Sequence, residues 1–312
     1  MRETQLREQI VACARQFEAD LVCFGGVGRF QGTRVPEILP QTKTVICLAF
    51  RVLRGVFRGI EEGTTYYQYC TNGVEVMDET IMPRALLRVC ALLEDAGYIA
   101  LPQRRHHCVM EAAEGHDFDV DYSEIYHGRK TEISMNFEDA AVRCGLGERG
   151  FYGSVITPQF GPMQRFCFVL TDAELEESPL YSGGLCDQCR ECVRSCPGNA
   201  ISPDGGCNPW QCGPYYRGAR RSKNPFMPPD AFPDLGDREA IMSGDRQLTP
   251  DESIQVMAGC IFYPPIKQGY AASICGKACD MACYAHLEQQ HKLVRNFQEP
   301  FRRRPEWKLN EE

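Results

Sequence analysis

The run Cys186-Asp-Gln-Cys189-Arg-Glu-Cys192-Val-Arg-Ser-Cys196-Pro197 constrains this chain more than any other stretch. Its C-x2-C-x2-C-x3-C-P spacing has one well-attested physical use. Three thiolates on a tight loop take corners of a 4Fe–4S cube, while the fourth serves a different cluster. A zinc site of two C-x2-C pairs needs a long spacer between the pairs, and this run has none.

A second cysteine motif follows, Cys275-Gly-Lys-Ala-Cys279-Asp-Met-Ala-Cys283. In a two-cluster ferredoxin arrangement each motif lends its last cysteine to the other cube. Cys186, Cys189, Cys192 and Cys283 are therefore expected to hold one 4Fe–4S cluster. Cys196, Cys275 and Cys279 are expected to hold the second, with a fourth thiolate from Cys207, Cys212 or Cys260. Cys207 is favoured, because the turn Pro203-Asp-Gly-Gly-Cys207 folds back toward Cys196. The second motif reads C-x3-C-x3-C, one residue longer than the usual C-x2-C-x3-C-P, and no proline follows Cys283.

The chain has 312 residues, enough for one large or two moderate domains, with 43% hydrophobic and 24% charged residues, as in ordinary globular proteins. A net charge of −8 argues against a general nucleic-acid or anionic-membrane surface. The first eight residues carry neither an apolar h-region nor a twin-arginine signal, and no long apolar run occurs. A cytoplasmic protein without a membrane span is expected, its 18 cysteines being thiols or metal ligands. The cysteines at 13, 23, 47, 70, 90, 108, 144 and 167 lie mostly on apolar faces and read as small buried hydrophobes.

Residues 3–18 have helical apolar spacing, and residues 20–25 read as a short buried strand closing on Gly25-Gly26. The continuous apolar run from Thr44 to Leu53 suits a central strand. A long helix is expected from about Asp78 to Ala96, ended by Gly97, with a strand at Tyr98–Pro102. Residues 103–131 are polar and include His106, His107, His116 and His127, whose spacings match no metal motif; a solvated or pocket-lining loop is expected. Helix returns at 137–145 and strand at 165–172. Gly145-x-Gly-x-x-Gly follows a helix rather than a strand, which excludes a Rossmann dinucleotide site. Alternating strands and helices through residue 172 make the first domain α/β or α+β. Glu174–Pro179 is an acidic connector, and the cysteine-rich module beyond it shows little hydrophobic periodicity, so its clusters are expected to hold it together. Arg302-Arg-Arg reads as a solvated or docking feature.

Several segments, in order, resemble the corrinoid-dependent epoxyqueuosine reductases and reductive dehalogenases. They are Leu39-Pro40 leading into Val45-Ile-Cys-Leu-Ala, Leu92-Leu-Glu-Asp-Ala-Gly-Tyr98, and Ala140-Ala-Val-Arg-Cys-Gly145-Leu-Gly-Glu-Arg-Gly150. Ile156-Thr-Pro-Gln-Phe-Gly161, Val169-Leu-Thr-Asp172 and the two cysteine motifs complete the likeness, which covers about residues 5–285. The resemblance implies an α+β architecture: a nitroreductase-like α/β domain at 1–178, a ferredoxin-like module with two 4Fe–4S clusters at 179–290, and a tail at 291–312.

It also implies cobalamin held base-off over the sheet, with Gly145, Gly147, Gly150, Thr157 and Gly161 as cofactor-binding positions. Electrons would reach the module from a donor such as ferredoxin or flavodoxin and pass to a small-molecule substrate. Tyr126, Lys130 and Glu132, just ahead of the glycine core, are the candidate proton donor and anion-stabilising groups. Two departures shape the functional expectation. The tRNA-modifying branch carries a helical-repeat region after its clusters, whereas this chain is acidic and stops soon after them, so a tRNA partner is not expected. The respiratory dehalogenases carry a twin-arginine leader. The reading is an oxidoreductase of unassigned substrate. Its alternatives are an electron-transfer or corrinoid-reactivating protein, or a flavin-binding reductase on the same fold.

Overall fold

The computed structural model describes residues 3–104, 135–260 and 273–302. The elements run α1 (Glu3–Gln16), β1 (Leu21–Gly26), α2 (Val35–Ile38), β2 (Thr44–Arg51), α3 (Gly55–Glu61), α4 (Met82–Asp95), β3 (Ala100–Gln103) and α5 (Phe137–Arg143). Two short strands, β4 (Glu148–Arg149) and β5 (Val155–Ile156), precede β6 (Gln164–Thr171). The remainder is helical: α6 (Glu191–Arg194), α7 (Pro209–Tyr216), α8 (Arg238–Ser243), α9 (Pro250–Gly259) and α10 (Ala278–Gln289). They form two compact units: residues 1–51, 77–149 and 164–183, and residues 52–76, 150–163 and 184–312. The units interleave in sequence rather than meeting at a single boundary near 178.

The first unit is built on a four-stranded sheet of order β1-β2-β6-β3, with every neighbouring pair antiparallel. This is the α+β alternative rather than α/β. Strand β2 is buried along both faces, from Thr44 to Phe50, which is why it reads as an unbroken apolar run without being parallel. On one face Phe24, Ile46, Leu48, Phe50, Cys167 and Val169 meet Leu6, Ile10 and Ala14 of α1 and Ala85, Leu86, Val89 and Leu93 of α4. On the other, Phe137 of α5 packs edge-on against Phe168 at 5.1 Å, and the Cys144 thiol donates to the Val45 carbonyl at 3.4 Å. Pro102, which has no N–H to give, lies on the edge strand β3, where a proline does least harm to the ladder.

The helix expected at 78–96 begins differently. Met77–Ile81 is π-helical, and the regular α-helix starts at Met82, with Pro83 in its first turn. Proline supplies no N–H there and presets φ for a new helix, so the wide turn ends and the tighter helix begins. Of the early cysteines, Cys47, Cys70, Cys90, Cys144 and Cys167 are buried and Cys13 and Cys23 half-buried, as expected for small apolar side chains. Cys108 lies outside the described residues.

The second unit has an apolar core of its own. Tyr215, Ala219, Phe232, Ile241, Met242, Leu248 and Val256 come together from α7, α8, α9 and the loops between them. No hydrophobic period marks this core, because each short helix contributes only one or two residues to it. The segment 52–76 joins this unit: the Ser273 amide donates to the Cys70 thiol at 3.3 Å. The segment after 290 also packs here, with Leu293 and Phe301 buried. Arg302 is not a solvated charge: its guanidinium donates to the buried Glu61 carboxylate at 2.8 Å. Among the described residues no helix is long and apolar enough to cross a membrane.

Candidate metal centre

The loop that carries the first cysteine motif is curled by two residues in left-handed backbone conformation, Gln188 (φ 58°) and Arg190 (φ 66°). Each costs on the order of 1–2 kcal/mol in a residue with a Cβ. Such strain persists where surrounding contacts fix it, and those contacts are present. The Asp187 carboxylate accepts from the Cys189 amide at 3.2 Å, the Arg190 side chain donates to the Pro203 carbonyl at 2.7 Å, and its guanidinium lies 3.5 Å above the Phe151 ring. The loop then enters α6, which carries Cys192.

Cys283 reaches the same place from α10. Its thiol lies within electrostatic reach of Cys192, Cys186 and Cys189, and burial raises it well above the ordinary range. Ser195 ties the two helices together, donating to the carbonyls of Cys192 (3.2 Å) and Ala278 (3.3 Å). All four thiols line one pocket, walled by Phe151, Tyr152, Ile156 and Leu185. This is the first quartet expected from the spacing, assembled in one cavity. On its rim the Asp187 carboxylate takes His286 Nε2 at 2.8 Å and Lys292 Nζ at 3.1 Å. These bonds, His286 first, hold the Asp187 carboxyl well below the usual range. Asp187, Cys189 and His286 bring potential ligand atoms within 4.8 Å of one another.

The second group forms around Cys275 and Cys279. The Cys275 thiol is pushed up to about 12, first by burial and then by Cys212 and Cys196 beside it. Cys279, at the start of α10, likewise feels Cys275 and Cys212. Backbone amides point at the sulfurs: Ala200 donates to Cys196 Sγ at 3.2 Å and Ala278 to Cys275 Sγ at 3.4 Å. Three further cysteines were open as the fourth ligand, Cys207 being favoured, and the structure places them differently. Cys212, on α7, faces the other three thiols. Cys207 is exposed and bonds sideways to Cys212, which raises that thiol. Cys260 stands apart at the end of α9, its thiol directed at the Pro214 carbonyl at 3.8 Å and pushed up to about 12 by burial. The preference for Cys207 therefore gives way to Cys212. Asn208 Oδ1 caps α7, the helix that carries Cys212.

Both groups fit a metal with an affinity for soft sulfur: four thiols each, loop backbone bent around them and amides aimed at sulfur. Buried thiols with raised pKa stay neutral unless a metal displaces their protons. An apolar cluster of Tyr152, Cys192 and Ile201, with Cys196, Cys279 and Cys283 packed against it, joins the two groups.

The glycine core divides between the units. Gly145 and Gly147 belong to the first, and Gly150, Thr157 and Gly161 to the second. Gly145 ends α5: its amide donates to the Val142 carbonyl at 2.9 Å and that of Leu146 to Ala141 at 3.0 Å, a helix stop that requires φ of +84°. Gly147 is buried. Gly150 lies against Ile156, where a Cβ would meet Cδ1 at 2.6 Å. Thr157 and Gly161 exchange amide–carbonyl bonds at 3.0 and 2.8 Å, and this closed turn packs on Tyr284 and Leu287 of α10. Each of these positions other than the buried Gly147 thus has a folding reason visible in its own unit. The candidates Tyr126, Lys130 and Glu132 lie outside the described residues, as do His106, His107, His116 and His127.

No protein-family model matches the chain. Part of the chain is nevertheless similar to curated proteins. A tetrachloroethene reductive dehalogenase of Desulfitobacterium hafniense is 41% identical over 78 residues, which is 24% of this chain and 14% of that protein. An epoxyqueuosine reductase of Listeria monocytogenes is 33% identical over 75 residues, 24% of this chain and 20% of that one. Among solved structures, the catabolic reductive dehalogenase NpRdhA aligns over 82% of this chain and 36% of its own, with a TM-score of 0.50 and 16% identity, a likeness of fold. The chain therefore has homologues named reductive dehalogenase and epoxyqueuosine reductase, the superfamily its motifs resemble. Those homologues are oxidoreductases, and the matched segments are small fractions of their length.

Proposed function

We propose that the chain is an iron–sulfur oxidoreductase whose second unit carries two 4Fe–4S clusters. One is held by Cys186, Cys189, Cys192 and Cys283, the other by Cys196, Cys212, Cys275 and Cys279. The observation that carries the reading is the gathering of these eight thiols into two groups, with cysteines of both packed in one small apolar cluster. Two clusters in one unit support electron transfer from one to the other, and thence to an acceptor.

The acceptor is assigned as a corrinoid, on the strength of the superfamily that the sequence resembles and the names of its homologues. A bound corrinoid supplies cobalt-centred reduction, and the protein contributes position, electrons and a proton. For the proton and for charge stabilisation the sequence offers Tyr126, Lys130 and Glu132. The substrate class is a small molecule reduced at a carbon–halogen or epoxide carbon–oxygen bond, the chemistry named for the relatives. Anaerobically reconstituted protein titrated with cob(II)alamin should give a base-off spectrum at micromolar concentration. Turnover is then screened with tetrachloroethene and an epoxyqueuosine substrate. Failure to bind cob(II)alamin would remove the corrinoid from the reading.

A further inference from the structure

Between Cys279 and Cys283 the second motif carries an acid, Asp280. Lys277, left-handed at φ 58°, caps α10, so that Cys279, Asp280 and Cys283 all lie in the first two turns of that helix. Asp280 thus sits between a ligand of each proposed cluster. It is 6% exposed, its Oδ1 accepts the buried Tyr152 hydroxyl at 2.7 Å, and the Cys279 sulfur lies 3.8 Å from the same oxygen. The other oxygen faces Lys277 Nζ at 3.9 Å. Cys212 and Cys283 also lie within electrostatic reach of the carboxylate.

Resting on the two-cluster reading, we infer that Asp280, with Tyr152 and Lys277 bonded or opposed to it, is the positioning residue that sets the reduction potentials of both clusters and the difference between them. A negative charge beside thiolate ligands, shielded from water, makes an incoming electron costlier. A facing ammonium offsets that cost, and so does a hydroxyl that donates to the carboxylate. Cys279 is the nearest ligand, so its cluster carries the larger effect.

The test is an EPR-monitored redox titration of anaerobically reconstituted full-length protein, with iron and sulfide measured on each sample. Asp280→Asn should move both midpoints to more positive potential, that of the Cys279 cluster further. Lys277→Met should move them to more negative potential, and Asp280→Glu should restore the parental values. Tyr152→Phe, which changes no charge, should shift both midpoints negative, and it carries the test if Asp280→Asn loses iron. Iron-replete variants that titrate at parental midpoints, or Asp280→Asn and Lys277→Met shifts of the same sign, overturn this inference alone. A parent protein that takes up no iron or sulfide overturns the cluster assignment and this inference with it.

Discussion

Gly145 and the carbonyl of Pro179 stand so close that a Cβ on residue 145 would lie 2.3 Å from that oxygen. The backbone there is also left-handed, at φ +84°. Two penalties therefore fall on any side chain: the backbone conformation, at about 1–2 kcal/mol, and a clash with main chain that cannot swing aside. Gly145→Ala should destabilise the protein by about 2 kcal/mol or more, read as a lower denaturant midpoint. A variant with parental stability would mean that the α5 stop and its approach to Pro179 are not as described.

The sheet unit contains an ion pair that is costly to break on one side. Arg165 on β6 grips Asp78 with two donors, at 2.6 and 2.5 Å, and Asp78 is 3% exposed. Removing one partner leaves the other charge buried without its counter-ion, which typically costs 3–5 kcal/mol. Asp78→Ala should lower stability by about 3 kcal/mol, whereas the double variant Asp78→Leu with Arg165→Met should recover much of the loss. Thermal unfolding of the three proteins checks the order.

Helix α9 begins with a capping box: Thr249 Oγ1 accepts from the Glu252 amide at 3.3 Å, and Glu252 Oε2 accepts from the Thr249 amide at 2.9 Å. The bond from the Thr249 amide is the first cause that lowers the Glu252 pKa. A lowered carboxyl contributes stability above its unfolded value of about 4.3, and that contribution is lost as pH falls through the lower folded value. Glu252→Ala, which removes the acceptor of that bond, should lower stability at pH 7. The gap to the parent should narrow as pH falls below about 4. A gap that stays constant down to pH 3 would contradict the role given to Glu252.

What the sequence disclosed follows the range over which each signal acts. Cys186, Cys189, Cys192 and Cys283, grouped by spacing, line one pocket, because three of them share one loop and the fourth comes from a motif with its own spacing. The choice among Cys207, Cys212 and Cys260 was not legible. It depends on where α7 and α9 lie, and those helices are placed by Tyr215, Phe232, Ile241 and Val256, residues too scattered to show a period. Strand β2 was visible as apolar, but burial on both faces erases the alternation that separates antiparallel from parallel strands. The joining of residues 52–76 and the segment after 290 to the cysteine-rich unit rests on long-range contacts such as Arg302 with Glu61 and Arg54 with Glu288 (2.7 Å), and no local pattern announces them. Gly145 combines a positive φ with a close approach, and its neighbour is a protein carbonyl.

Cys207 and Cys212 offer a direct comparison within one loop and helix. Cys212→Ser should leave the first cluster intact and remove the second, taking bound iron from about eight to about four per chain. Cys207→Ser should retain about eight. The reverse pattern would return the fourth ligand to Cys207.

The central claim is two cubane clusters in the second unit, and iron and acid-labile sulfide per chain in the anaerobically reconstituted parent test it most directly. About eight of each, with an EPR signal of interacting reduced [4Fe–4S] centres, is the expected result. About four of each, or one stoichiometric zinc in their place, would contradict it.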